Sequence, residues 1–336
     1  MNGKTFQLIL AEPFHILLKI CKLLNRIKLS NVLRFSMKRL VAAERVCLVG
    51  HGFALLFGLA GLLIVLPNPV LIANLPEFVQ TLFGWSMLGG GVVYIALGAV
   101  TVALYAYRHL GLRSCLGFMV PAIGLSLSSE LLGTSTGFPF GHYRYLSGLG
   151  YKVAGLVPFT IPLSWFYMGL VCYLVAMALL GSQQWSPWVK SIATIGLGSL
   201  LLTAWDFVLD PAMSQTPFPF WEFQEIGQFF GMPYRNLAGW MGTGALFMGV
   251  TAWIWRFRFI SLTRTQLTLP LVVYLLNFAF GAVITVVQLD NRFLLPTAIS
   301  VLLGVVPVVL AWFLASEEPS SSLPPTPVTV KQPLPL

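Results

Sequence analysis

A chain of 336 residues that is 57% hydrophobic and only 9% charged, with a mean hydropathy of +0.82, is not an ordinary soluble globule, in which about 25% of residues are charged. The net charge of +9 does not read as a nucleic-acid footprint, because the excess gathers at one end beside apolar runs, where anionic lipid accounts for it. Cys21, Cys47, Cys115 and Cys172 stand singly without Cys-Xaa-Xaa-Cys spacing, which points to neither a disulfide framework nor a zinc site but to small packed hydrophobes.

Residues 1–44 carry Lys4, Lys19, Lys22, Arg26, Lys28, Arg34, Lys38 and Arg39 against Glu12 and Glu44, with Leu17, Ile20, Leu24 and Ile27 at helical spacing. That pattern predicts a basic amphipathic helix on a membrane surface. Lys and Arg interrupt the run and no small-residue cleavage site follows, which weighs against a signal peptide. Apolar stretches of about 20 residues then predict transmembrane helices at 45–66, 84–107, 113–132, 158–180, 188–209, 236–255, 269–289 and 293–314. The expected fold is an all-α polytopic transmembrane bundle of about eight spans, a single membrane domain over 45–315. The segment 316–336, rich in Pro and Ser, has no packable face and is expected to be disordered.

Eight spans put both ends on one side. All of the 20 Lys and Arg except Arg144, Lys152, Arg235 and Arg292 fall on that side, so both termini are expected to be cytoplasmic. The acids divide the other way: Glu77, Glu130, Asp206, Asp210, Glu222, Glu225 and Asp290 lie at or near the opposite face. Spans three, five and seven each run outward and end in an acid, which suggests that Glu130, Asp206/Asp210 and Asp290 converge there. Ionisable groups at membrane depth are costly and usually mark a site.

Two polar segments hold the candidate groups. The first, Glu130 to Lys152 (ELLGTSTGFPFGHYRYLSGLGYK), offers Glu130, His142, Tyr143 and Arg144 in a Gly/Pro-rich loop. The second, Asp206 to Trp240, begins with an acid pair in TAWDFVLDP. Asp206 and Asp210 at i, i+4 share a helix face, and Pro211 is expected to end the span there. Two carboxylates so close in low-dielectric surroundings cannot both ionise cheaply, so the pair is expected to keep a proton. The rest of the segment carries Trp221, Glu222, Glu225, Tyr234, Arg235, Asn236 and Trp240. Its aromatics read either as an interfacial belt or as a wall that stabilises a cation.

Several chemistries are absent. His15, His51, His109 and His142 lack the spacing of a membrane di-iron desaturase, and neither a phosphate-binding Gly loop nor a Gly-Xaa-Ser-Xaa-Gly elbow occurs. Asp206 and Asp210 have the spacing of a magnesium-diphosphate motif of membrane prenyltransferases, but those enzymes use two such motifs and this chain has one.

ELLGTSTGFPFGHYRY together with DFVLDPAM, FWEF and FFGMPYRNLAGW resembles the membrane carotenoid-hydratase family. That family includes gamma-carotene 1′,2′-hydratases of myxol glycoside synthesis and bisanhydrobacterioruberin hydratases. The resemblance is strong from Glu130 to Trp240 and extends to the flanking spans by general layout. It implies that water adds across the terminal double bond of an acyclic or monocyclic carotenoid to give a tertiary alcohol, a lyase-type reaction with no metal or redox cofactor. It leaves room for a neighbouring carotenoid glycosyltransferase as a partner, besides membrane lipids.

No catalytic residues come with the resemblance, so the roles rest on the sequence. Hydration needs a neutral buried acid, aromatic faces around a tertiary cation and a polar group to hold water. Asp206 or Asp210 is the expected acid. Trp205, Trp221 and Tyr143 are the expected walls, with Glu222 and Trp240 beside them, and Glu130, His142 or Asn236 would position water. Two rival classes stand beside this one. A transporter or channel for a lipophilic substrate would favour inverted repeats and acids near the midplane. A non-catalytic scaffold of a carotenoid-biosynthesis complex would have no need of the acid pair beside a Gly/Pro-rich loop.

Overall fold

The structure, a computed structural model, describes residues 37–317. Among these, eight helices are long and apolar enough to cross a membrane: α1 (Met37–Val65), α3 (its inner part, Gly89–Leu110), α4 (Leu112–Thr136), α5 (Thr160–Leu180), α6 (Pro187–Ser214), α7 (Tyr234–Ile254), α8 (Arg264–Gln288) and α9 (Asn291–Leu314). A short helix, α2 (Pro69–Ala73), links α1 to α3, which as a whole runs Glu77–Leu110. The chain is therefore an all-α multi-pass membrane protein, as its hydropathy predicts. Residues 37–44, the end of the basic segment, are helical and continuous with the first span. The rest of that segment and the tail from 318 lie outside the described residues.

Apolar all round, α5 is the innermost helix, as a helix without a polar face must be. It packs against α3, α4, α6, α8 and the inner half of α9. Small residues bring α6 and α7 together: a Cβ on Gly244 would lie 3.2 Å from Ser199 Oγ, and one on Gly198 2.9 Å from Met248 Sδ. Such close approach is how membrane helices associate where no hydrophobic drive exists. Capping is conventional at two helix starts. The Ser186 hydroxyl accepts from the Val189 N–H before Pro187, and Thr263 and Gln266 form a reciprocal capping box.

Pro211 does not end α6, which continues to Ser214. The Thr285 hydroxyl of α8 donates to the Val208 carbonyl at 2.8 Å in the turn before the proline, and Ser214 donates to the Asp210 carbonyl at 2.7 Å. Side chains of this kind, with packing from a neighbouring helix, let a transmembrane helix absorb a proline. Asp206 and Asp210 are consequently inside the helix, not at its end.

A neutral polar cluster ties four helices near mid-bundle. His51 Nδ1 of α1 donates to the Tyr94 carbonyl of α3 (2.8 Å), and Nε2 accepts from Asn277 Nδ2 of α8 (3.0 Å). Asn277 Oδ1 accepts from the Tyr167 hydroxyl of α5 (2.7 Å), and its Nδ2 also donates to the Val273 carbonyl (2.8 Å). At the terminus side, Arg108 holds the buried Glu44 carboxylate with two bonds, at 3.0 and 2.6 Å. Elsewhere α1 is peripheral, and an apolar groove of about 830 Å³ remains between it, α3 and α8.

Four short strands lie in the connections at the opposite end. β1 (Tyr143–Tyr145) pairs antiparallel with β4 (Trp221–Phe223), and β2 (Lys152–Val153) with β3 (Val157–Pro158). Tyr143 faces Phe223, Arg144 faces Glu222 and Tyr145 faces Trp221. This ladder joins the α4–α5 connection to the α6–α7 connection over the ends of α4, α5, α6 and α7.

Candidate active site

Strand parity decides which loop residues point inward, since successive side chains leave a strand on opposite faces. Tyr143 and Tyr145 are buried, whereas His142 and Arg144 are exposed. On the partner strand Trp221 and Phe223 face the same interior, and Glu222 turns out to meet Arg144 at 2.5 Å in a largely exposed ion pair. Beneath the ladder, Phe140 packs into a slot left by two glycines. A Cβ on Gly133 of α4 would lie 2.7 Å from its ring, and one on Gly239 of α7 only 2.4 Å.

The inward residues enclose a cavity of about 40 Å³, lined by three carboxylates (Glu130, Asp206 and Asp210), Asn236, Ser164 and a ring of aromatics. A single water occupies at least about 10–15 Å³ by this measure, so the space holds a few. Glu130 is the most completely bound of the three acids. Its Oε2 accepts from the Tyr143 hydroxyl and, at 2.8 Å, from that of Tyr145, and its Oε1 accepts from Trp165 Nε1 at 2.9 Å. Charge-assisted bonds contribute about 1.5–3 kcal/mol each, so three of them fix this carboxylate firmly. Burial first, and then the charge of Glu130 and the bond to it, raise the Tyr143 phenol well above its usual range. Burial and the Glu130 charge do the same for Tyr145. Both therefore remain donors.

One amide links the acid pair. Asn236 Nδ2 donates to Asp210 Oδ2 at 2.5 Å and to Asp206 Oδ2 at 3.1 Å, and Trp221 Nε1 donates to Asp210 Oδ1 at 2.6 Å. Both oxygens of Asp210 thus receive N–H bonds, while Asp206 Oδ1 is buried without a partner. Among the described residues, no Lys, Arg or His lines the cavity. Two unit charges about 4 Å apart repel by about 4 kcal/mol even at an effective dielectric of about 20. Ionising both members of a pair that one amide bridges, with no cation lining the cavity among the described residues, is therefore costly. The two acids are unequal: Asp210 takes N–H donors on both oxygens and Asp206 on only one.

Aromatic rings fill the remaining wall. Trp165 and Trp240 stack at 4.2 Å, Phe140 lies 6.2 Å from Trp165, and Tyr145 meets Trp221 edge-on at 6.0 Å. Trp205 is one layer back: it meets Trp240 edge-on at 6.0 Å but does not line the cavity, and its buried Nε1 has no partner. On the outer side, Tyr143 and Tyr145 also line a rim vestibule of about 460 Å³ with Thr134, Arg144 and Lys152. The two tyrosines are the partition between vestibule and cavity.

Of the residues singled out from sequence, the structure brings Glu130, Asp206, Asp210, Tyr143, Trp221, Asn236 and Trp240 around one space. His142 and Glu222 are corrected to the outer face of the ladder, and Trp205 to the second layer. Asp290 does not converge with the other acids. It is exposed and bonded by Arg292, whose hydrogen bonds hold its carboxyl below the usual range. Sequence reasoning missed Tyr145, Trp165, Phe140, Ser164 and Phe223. Tyr145 and Phe223 were findable as the i+2 neighbours of Tyr143 and Trp221 had the strands been recognised. Among the described residues, no group of three His, Cys, Asp or Glu side chains is arranged to hold a metal ion.

Residues 90–307 match the family described as carotenoid biosynthesis protein. A 121-residue stretch is 36% identical to the bisanhydrobacterioruberin hydratase of Haloarcula japonica, covering 36% of this chain and 39% of that relative. No solved structure matches the chain.

Proposed function

The chain belongs to the carotenoid biosynthesis protein family, and from that premise we propose that it is a hydratase acting on the 1′,2′ double bond of an acyclic carotenoid end, of the gamma-carotene or lycopene type. The observation that carries this reading is the buried cavity where two segments remote in sequence set three carboxylates and a ring of aromatics around space for water. The named hydratase relative supports the same reaction class.

Asp206 is the general acid. Its unpartnered Oδ1 holds the proton within the cavity, and the Asn236 bridge keeps Asp210 beside it as the anionic partner. The proton goes to the less substituted alkene carbon, the π pair forms the new C–H bond, and a tertiary cation remains next door. Aromatic faces attract such a cation through their quadrupoles, and Trp165, Trp240, Tyr143 and Trp221 line its position. The anionic charges of Glu130 and Asp210 act in the same direction. Preorganised groups aimed at developing charge usually contribute the largest share of catalysis.

Water then attacks the cation, and its proton passes to Glu130, whose Oε1 carries a single protein bond. Return of that proton to Asp206 through cavity water resets the site. The sum is alkene plus water giving a tertiary alcohol. Water reaches the cavity from the rim vestibule, past Tyr143 and Tyr145. The test is expression in cells that accumulate lycopene or gamma-carotene, followed by chromatography and mass analysis of the pigments. A product heavier by one water is expected, and an unchanged pigment profile with the protein present in the membrane rejects the reading.

A further inference from the structure

A cavity sized for a few waters does not accommodate a long polyene, so the rest of the substrate needs another place. We propose that the apolar groove between α1, α3 and α8 holds the polyene chain of a linear carotenoid, with its end group turned past Met213 and Phe220 into the carboxylate cavity. The proposal rests on the hydratase reading for the identity of that end group.

The groove measures about 830 Å³, within the roughly 300–1,000 Å³ of ligand sites. Its wall is apolar, and the Ser86 hydroxyl in it is turned to the Phe83 carbonyl at 2.8 Å. A polyene has no hydrogen-bonding groups and fits such a wall. The lining runs from Phe53 to Leu62 on α1, which at 1.5 Å per residue is about 15 Å, half of a roughly 30 Å hydrocarbon slab. The remainder of the chain extends into lipid.

Glycines keep this space open. A Cβ on Gly61, Gly89 or Gly90 would meet nothing within 4 Å. Glycine is unfavourable in a helix interior, and in membrane helices small residues normally admit a neighbouring helix. Among the described residues no neighbour approaches these three, and what they admit is the groove.

Position links the groove to the chemistry. It ends at Leu149, Met213 and Phe220. Met213 lies one turn beyond Leu209, which lines the carboxylate cavity, and Phe220 precedes Trp221, which bonds Asp210. The Phe220 N–H donates to the Met213 carbonyl at 2.7 Å, which holds these two groove residues together beside the neighbours, Leu209 and Trp221, that line the cavity. Methionine is the side chain most able to re-pack for a passing ligand.

The test fills the groove without touching the carboxylates. Gly61→Leu with Gly90→Leu is compared with the unaltered protein and with Gly249→Leu, a glycine equally open but outside the groove. Each is purified from cells accumulating a linear carotenoid, and pigment per protein and hydrated product are measured. Overpacking a site of this kind predicts a fall of about tenfold or more in both readouts for the double variant, with Gly249→Leu unchanged. If the double variant fails to accumulate, either single groove variant carries the comparison. Retained pigment and turnover in the filled groove overturn the proposal, as does recovery of phospholipid in place of pigment from the unaltered protein. Pigment that is lost on filling, with no hydrated product from the unaltered protein, leaves the groove standing and rejects the hydratase reading. Product from the filled groove does the reverse.

Discussion

Two of the polar clusters buried among the described residues differ in how completely their hydrogen bonds close. In the His51–Asn277–Tyr167 cluster each ring nitrogen and each amide atom of Asn277 has a partner, and no group needs a charge. Around Asp206 the opposite holds. Three acids line one cavity without a cation, and Asp206 Oδ1 and the nearby Trp205 Nε1 have no partner. A satisfied buried network rigidifies a structure, whereas an unsatisfied one is costly and needs a reason. The first cluster reads as a clamp between helices, and the second as a site.

The sharpest way to break that contrast is Asp206→Asn. It removes the proton and keeps the shape, so hydration is expected to fall about 10²–10⁴-fold, the usual contribution of a general acid, while the thermal midpoint of the detergent-solubilised protein changes little. Asp210→Asn should also lose activity, because the neighbouring charge goes, but by less. Equal full activity in both variants would remove the acid pair from the mechanism.

The spans and the acid side of this contrast are legible in the sequence, the His51–Asn277–Tyr167 cluster is not, and the illegible part has physical causes. Spans of about 20 apolar residues are dictated by bilayer thickness, so all eight could be drawn. The i, i+4 spacing of Asp206 and Asp210 fixed their shared face without knowledge of a neighbour. Parity in β1 and β4 is hard to read for a different reason: Tyr-Arg-Tyr and Trp-Glu-Phe do alternate aromatic and charged residues, but three residues are too short a run to announce a strand. Without that parity the sequence offers His142 and Glu222 for the interior and gives no reason to choose Tyr145 and Phe223. Trp165 was hidden for another reason: in a helix apolar on every side, one more aromatic carries no signal until its N–H is seen on Glu130. Asp290 failed because its partner, Arg292, is two residues away and needs no fold to reach it.

On the clamp side, Asn277→Leu strips His51 and Tyr167 of their partner at once. Each buried polar group left unsatisfied costs about 1–3 kcal/mol, so a clear drop in thermal midpoint is expected. Turnover per folded protein should stay near that of the unaltered chain. Loss of turnover without loss of stability would mean that the cluster takes part in the reaction, and the contrast would fail.

A smaller effect concerns pH. With the folded-state phenols of Tyr143 and Tyr145 raised above the ordinary value of about 10, their contribution to stability is fully present below that value. It is lost only as pH rises through the higher folded-state values. Thermal unfolding followed from pH 7 to 10 should therefore show no tyrosine-linked decline, with destabilisation beginning above. A decline centred below 10 would show that the partition between vestibule and cavity is more open to solvent than its burial implies.

The smallest effect should come from His142→Ala. A loop histidine beside an acid is an attractive proton carrier in the sequence, yet strand parity turns its ring outward against Gly137, where a Cβ would lie 2.7 Å from Nε2. The ring thus covers the C-terminal turn of α4, at a glycine with φ of +80°, on the exposed side of the ladder and not among the residues that line the cavity. Surface substitutions of this kind usually change stability by no more than about 0.5 kcal/mol. Hydration by the variant should match the unaltered protein in rate and in pH profile. Should the rate fall while Asp206→Asn remains active, proton delivery runs from the rim inward, and the exposed face of β1, not the buried acid, is where the chemistry starts.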